Sequence, residues 1–260
     1  MRTKLLTWSF LIYWPFLINQ VIEDKPVLES HPQSSLKKAE AQYLVKRLKQ
    51  RSITIDADWD KKQWKKIKPV TLDYNMGTEP KFLPKVKAKL MYDDENIYGI
   101  FQVEDRYVRS VVQEYNGNVS GDSCVEFFFS PDTDLPLSYF NLEINAGGTP
   151  LIFYVAKPWD KFTKLEKEDI DQIEIAHSLP KVVDPEITEA TTWTIEYRIP
   201  LSMLKNHSKV TQPESGTIWK ANFYKTGSRT SNPNFLTWSY VDNPKPNFHL
   251  PKFFGTLKFE

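Results

Sequence analysis

The sequence predicts an all-β fold, an antiparallel β-sandwich of jelly-roll-like form with one or two short helical turns. Three observations carry this prediction. Aromatic residues make up 14% of the chain, more than a helical bundle needs, and such rings are enriched in strands. Pro outnumbers Gly by 18 to 9, which points to short segments joined by stiff turns. Ten segments rich in β-branched and aromatic residues alternate with period two between polar turn clusters.

In chain order, Arg2 and Lys4 precede an apolar stretch over residues 5–18 that is short for a membrane span and contains Pro15. Residues 1–20 therefore read as a secretory signal, and the mature protein is expected to be secreted, or periplasmic in a bacterium. Residues 21–42 are charged and poor in apolar periodicity, so they read as a linker, with one short helix expected over 36–48. The packed domain is expected over 43–260. Its strands are expected at 86–92, 96–103, 124–129, 139–145, 150–155, 172–178, 192–199, 217–226, 236–240 and 254–259. Helical turns are expected at 60–65 and at 201–204, the second opened by Pro200.

Charge and motif content exclude several function classes. A net charge of +1 gives no broad attraction for phosphate backbones, so nucleic acid is not an expected partner, nor is a membrane once the signal is removed. Cys124 is the single cysteine and sits in an apolar run, which suits a buried structural thiol rather than a reactive one. His31, His177, His207 and His249 show no zinc-ligand spacing, and no nucleophile elbow or phosphate-cradling glycine loop occurs. No catalytic residue and no cofactor are assigned. Asp122, Asp132 and Asp134 are candidate oxygen ligands for a structural calcium ion.

What the sequence does supply is the chemistry of sugar recognition. Sugars present flat apolar faces ringed by hydroxyls, so their sites combine exposed rings with planar polar groups. Trp159, Trp238 and Phe248 are the ring candidates. Trp59, Trp64, Trp193 and Trp219 read as core anchors, and Trp238, inside an apolar strand, reads the same way. Glu126 and Glu143 fall on neighbouring expected strands, which also makes them candidates for a glycosidase acid and base.

A set of segments in fixed order resembles the family 9 carbohydrate-binding modules. These are Ile53-Thr54-Ile55-Asp56-Ala57-Asp58-Trp59-Asp60 with Trp64, the strand pair at 88–93 and 96–105, Asp122-Ser123-Cys124-Val125-Glu126-Phe127-Phe128-Phe129, and Tyr139-Phe140-Asn141-Leu142-Glu143-Ile144-Asn145. Trp193-Thr194-Ile195-Glu196-Tyr197-Arg198-Ile199-Pro200 and Pro251-Lys252-Phe253-Phe254-Gly255-Thr256-Leu257 complete it. The resemblance implies a β-sandwich in which two Trp rings clasp a terminal sugar while Glu, Arg and Asn side chains bind its hydroxyls. The family Glu falls on Glu126. The first Trp falls on Ser120, the Arg on Glu143, and the second Trp on Phe248. Half of the ring clamp is therefore absent unless Tyr115 or Trp159 supplies it.

Asn141, Asn145 and His249 are similar to a looser branch of the family, in which an acidic and amide-rich cluster replaces the clamp. The resulting expectation is a non-catalytic, secreted module for xylan, cellulose or a related polysaccharide, acting in carbohydrate catabolism. Its expected ligand-binding residues are Glu126, Asn141, Glu143, Asn145, Trp159, Phe248 and His249. The alternative is a glycoside hydrolase, or a domain attached to one, acting on O-glycosyl bonds.

Overall fold

The computed structural model describes residues 40–49 and 53–260, so the secretory signal expected over 1–20 and nearly all of the expected linker lie outside the described residues. Sixteen strands appear among the described residues, in chain order. They are β1 (Gln42–Arg47), β2 (Val70–Thr71), β3 (Tyr74–Asn75), β4 (Lys85–Tyr92), β5 (Asn96–Asp105), β6 (Val108–Ser110), β7 (Cys124–Ser130) and β8 (Tyr139–Asn145). Then come β9 (Pro150–Lys157), β10 (Lys161–Lys164), β11 (Glu174–His177), β12 (Val183–Ile187), β13 (Thr191–Pro200), β14 (Ile218–Thr226), β15 (Phe235–Thr237) and β16 (Gly255–Phe259). Two short helices, α1 (Lys167–Ile170) and α2 (Leu201–Lys205), complete the set together with single turns of tighter helix, one of them at Trp64–Lys66.

Fourteen of these strands form the two sheets of a sandwich, while β6 and β12 pair with each other in a separate antiparallel ribbon. One runs β10-β9-β8-β7-β14-β16-β1, with β15 pairing β14 beyond the end of β16 and β3 pairing β15; the other runs β1-β4-β5-β13-β11, with β2 on β4. The strand β1 belongs to both, because its residues 42–45 pair with β16 and its residues 46–47 with β4. Both of its pairings are parallel, whereas the rest are antiparallel. Where the sequence suggests a helix over 36–48, residues 42–47 are thus a strand. Tyr43 and Val45 are its buried positions, a period of two that only a strand can use.

The core lies between the sheets. Phe127 of β7 and Phe223 of β14 meet Tyr197 of β13 and Phe101 of β5 from the facing sheet, with ring centroids 6.3 and 5.9 Å apart. A buried ion pair also joins the sheets, Lys225 Nζ lying 2.7 Å from Asp105 Oδ2. Trp64, Trp193, Trp219 and Trp238 are buried in this core, as the sequence suggests.

The segment before β2 is pinned to the second sheet by one carboxylate. Glu196 on β13 accepts hydrogen bonds from Asp56 N, Ala57 N, Lys61 Nζ and Trp64 Nε1 at 2.7–2.9 Å. Among the described residues, no helix is long and apolar enough to cross a membrane.

Candidate functional site

Period-two alternation decides what the first sheet shows on its outer face. On β7, Val125, Phe127 and Phe129 enter the core, which leaves Cys124, Glu126 and Phe128 facing outward. On β8, Phe140, Leu142 and Ile144 enter the core, which leaves Tyr139, Asn141, Glu143 and Asn145 outward. The register then sets Glu126 directly opposite Glu143, Phe128 opposite Asn141 and Cys124 opposite Asn145. From the other side, Tyr224 and Thr226 of β14 flank Glu126 and Cys124.

An open cavity of about 480 Å³ stands over this surface. Glu126, Glu143, Phe128 and Thr226 form its floor, while the loop carrying Asn243, Lys245 and Asn247 makes one wall. The aromatic residues beneath are locked in place. Phe248 stacks on Tyr224 with centroids 4.1 Å apart and planes within 12°, and Tyr224 Oη donates to the Phe248 carbonyl at 3.1 Å. Tyr139 Oη lies 2.8 Å from His249 Nδ1, and burial pushes the His249 pKa down to about 4, so the ring is neutral and accepts this hydrogen bond in its Nε2–H tautomer.

Trp159 is different, because it is 71% exposed while lining the cavity. It stands edge-on to His249, with centroids 5.4 Å apart and planes at 73°, so its indole faces stay uncovered by that ring. Its backbone adopts φ 64°, a left-handed conformation that L-residues with large side chains rarely take.

The two carboxyls are held in an unusual state. Glu126 is 2% exposed and Glu143 7% exposed. Burial raises the Glu126 pKa well above the usual range, and the Glu143 charge raises it further. Burial raises Glu143 to about 7, opposed by the Asn141 Nδ2 hydrogen bond to Glu143 Oε1 at 3.0 Å. The Asn141 bond marks Glu143 as the member that ionises first, so near neutrality Glu126 keeps its proton. Glu126 then offers an O–H donor and Glu143 an acceptor, side by side. Neither Glu126 nor Thr226 Oγ1 has a hydrogen-bond partner among the described residues.

Five of the seven expected ligand-binding residues therefore line one cavity: Glu126, Glu143, Trp159, Phe248 and His249. Asn141 supports that floor from beside it, its Nδ2 on Glu143 and its Oδ1 accepting from Phe153 N at 2.9 Å. Asn145 stands apart. Its Nδ2 donates to Val112 O and Asp122 Oδ2, and its Oδ1 accepts from Thr149 N at 2.8 Å, so it is occupied in holding a turn. Phe248 is only 9% exposed because Tyr224 covers one of its faces. The open ring is Trp159, and Tyr115 does not line the cavity.

Ser120, which the resemblance sets at the position of the first Trp, lines the cavity as well. Thr226, Ser228, Asn243, Lys245 and Asn247 were not among the expected site residues. For the last three the only signal was a polar, Pro-rich turn directly ahead of Phe248.

Among the described residues, Asp122, Asp132 and Asp134 do not bring their carboxylates together as one group of ligand atoms. Asp122 receives Val111 N, Val112 N and Asn145 Nδ2 at 2.9–3.0 Å and pairs with Arg109, a donor set that already satisfies its charge. Asp132 accepts from Asp134 N, and Asp134 pairs with Lys209. Cys124, Glu126 and Glu143 bring three ligand atoms within 4.8 Å of one another. Burial raises the pKa of all three, so a cation binding there would compete with protons.

The model of carbohydrate-binding family 9 matches residues 54–259. A candidate carbohydrate-binding protein from Bacteroides uniformis is 29% identical, with a TM-score of 0.76 over 85% of this chain and 100% of that one. A family 9 carbohydrate-binding module from Caldicellulosiruptor kristjanssonii, solved with cellotriose, gives 19% identity and a TM-score of 0.58, over 85% of this chain and 94% of that one. Its complex with glucose gives 18% and 0.56, over 85% and 96%. At that identity, these last two speak to the fold alone. Compared with curated proteins, the chain matches none.

Proposed function

The chain belongs to carbohydrate-binding family 9, and from that premise we propose that it is a non-catalytic, exported module whose cavity over Glu126 and Glu143 holds one residue of a polysaccharide. The observation that carries this reading is the joining of an exposed indole, Trp159, to the unpartnered Glu126 carboxyl and the facing Glu143, held by Asn141, in one cavity. A sugar ring laid on Trp159 gains dispersion and burial on the order of 1 kcal/mol. One of its hydroxyls accepts from the Glu126 carboxyl while another donates to Glu143.

Because Glu143 replaces the family Arg and Ser120 replaces one Trp, the sugar or its orientation differs from that clasped between two Trp rings. Glucose- and xylose-based polysaccharides remain the first ligands to try, given the cellotriose and glucose complexes of the Caldicellulosiruptor module. Export rests on the apolar N-terminal stretch, and a role in polysaccharide breakdown follows from such a ligand. A glycan array and pull-down on insoluble xylan and cellulose test the proposal. Retention on at least one glycan is expected, and silence of a folded sample across the panel refutes it.

One observation favours a hydrolase as a second reading, namely two facing carboxyls of which Glu143 titrates at about 7. Against it, both rise from neighbouring strands of one floor, whereas glycosidase carboxyls flank the scissile bond. Release of reducing sugar that disappears in Glu126→Gln would decide for the enzyme.

A further inference from the structure

A second cavity, of about 330 Å³, opens beside the first and is lined by two arginines, Arg109 and Arg229. One backbone seam divides the two cavities. Ser228 N and Oγ both donate to Ser120 O, at 3.1 and 2.9 Å, and Arg229 N donates to Gly121 O at 3.0 Å. Ser120 and Ser228 line the sugar cavity, while their chain neighbours Gly121 and Arg229 line the second. Neighbouring Cα atoms are about 3.8 Å apart, so the two cavities lie within roughly one sugar residue of each other.

The charge in this second cavity is unbalanced. Asp122 is buried there and its oxygens are taken up by Val111 N, Val112 N, Asn145 Nδ2 and a single Arg109 nitrogen, Nη1 at 3.3 Å. The rest of the Arg109 guanidinium, on a side chain 32% exposed, is unused. Arg229 is exposed, and its guanidinium has no hydrogen bond or ion pair among the described residues. Its side chain lies along Gly121, where an added Cβ would stand 3.1 Å from Arg229 Cδ, so the missing side chain leaves room for the guanidinium. Two guanidiniums against one satisfied carboxylate leave a net positive site whose planar donor forks suit a carboxylate or sulfate group.

We infer that the second cavity is a subsite for an acidic group on the glycan, so that the ligand is an anionic polysaccharide bearing uronate carboxylates or sulfate esters. The inference rests on the proposed sugar cavity and narrows its ligand. The neutral part of the chain lies over Glu126 and Glu143, while the acidic substituent of the same or the next residue crosses the Ser120–Ser228 seam to Arg229 and Arg109. Because Arg229 is exposed, the contact is screened by salt, with a Debye length of about 10 Å at 0.1 M.

The test is titration of the full chain with an oligogalacturonate, its methyl ester, a sulfated oligosaccharide and cellotriose. A gain of about tenfold or more for either acidic ligand over its neutral counterpart is expected, shrinking in high salt. Arg229→Gln is expected to erase that gain while leaving neutral-ligand affinity within twofold, and Arg229→Lys to restore only part of it. Equal affinity for acid and ester, or an acid preference untouched by Arg229→Gln, overturns the acidic subsite and leaves the sugar cavity standing. Silence toward every ligand, neutral ones included, overturns both.

Discussion

Glu126 and Glu143 face each other across adjacent antiparallel strands, both buried, with the proton of the pair kept on Glu126 near neutrality. The folded pair binds protons more tightly than free carboxyls, so the folded chain holds more protons than the unfolded one between about pH 4.5 and 7. Stability is then full below pH 4.5 and is lost as pH rises through about 7. From Glu143 alone the loss is on the order of 3 kcal/mol. Chemical denaturation from pH 4.5 to 8 is expected to show this decline, flattened in Glu126→Gln. A flat wild-type profile contradicts the buried pair.

Trp159 gives a way to separate binding from folding. In Trp159→Gly the indole is removed and a residue at ease with φ 64° replaces it. Glycan affinity is expected to fall about tenfold, while the thermal midpoint stays level or rises as about 1 kcal/mol of backbone strain is released. A midpoint that drops by several degrees would assign the ring to the core instead.

Phe248 should behave in the opposite way. It stacks on Tyr224 at 4.1 Å and is nearly buried, so Phe248→Ala is expected to cost about 3 kcal/mol of stability, besides any effect on binding. Denaturant titration at fixed pH reads the difference.

The Glu196 hub lies in the other sheet, away from the cavity floor. Glu196→Ala leaves Lys61 without its buried partner and strands Trp64 Nε1 and two backbone N–H groups. A loss of about 3–5 kcal/mol is expected. At temperatures where the variant is folded, glycan binding should be unchanged.

How far the sequence led depends on the residue. Strands β7 and β8 were readable because rings and aliphatics alternate with Glu126, Asn141 and Glu143, and that alternation also put the carboxyls on one face. Strand β1 was not, because Lys46, Arg47 and Lys49 look like linker and its partners β4 and β16 are distant in sequence and parallel, with no hairpin turn to announce them. Strand β12 was hidden by Pro185, which normally argues against a strand. Asn145 reads as a ligand group because amides at strand ends serve both sugars and turns, and only the fold brings Thr149, Val112 and Asp122 onto it. Phe248 is legible through the family resemblance, but the Tyr224 ring covering it comes from a strand more than twenty residues away.

The most direct test of the sugar cavity is titration calorimetry of the full chain and of a Glu126→Gln, Trp159→Gly double variant against a panel of neutral and acidic oligosaccharides. Saturable binding to at least one ligand, weakened tenfold or more in the double variant, is the predicted result. Binding of undiminished strength in a folded double variant, or no binding by the folded parent chain, contradicts it.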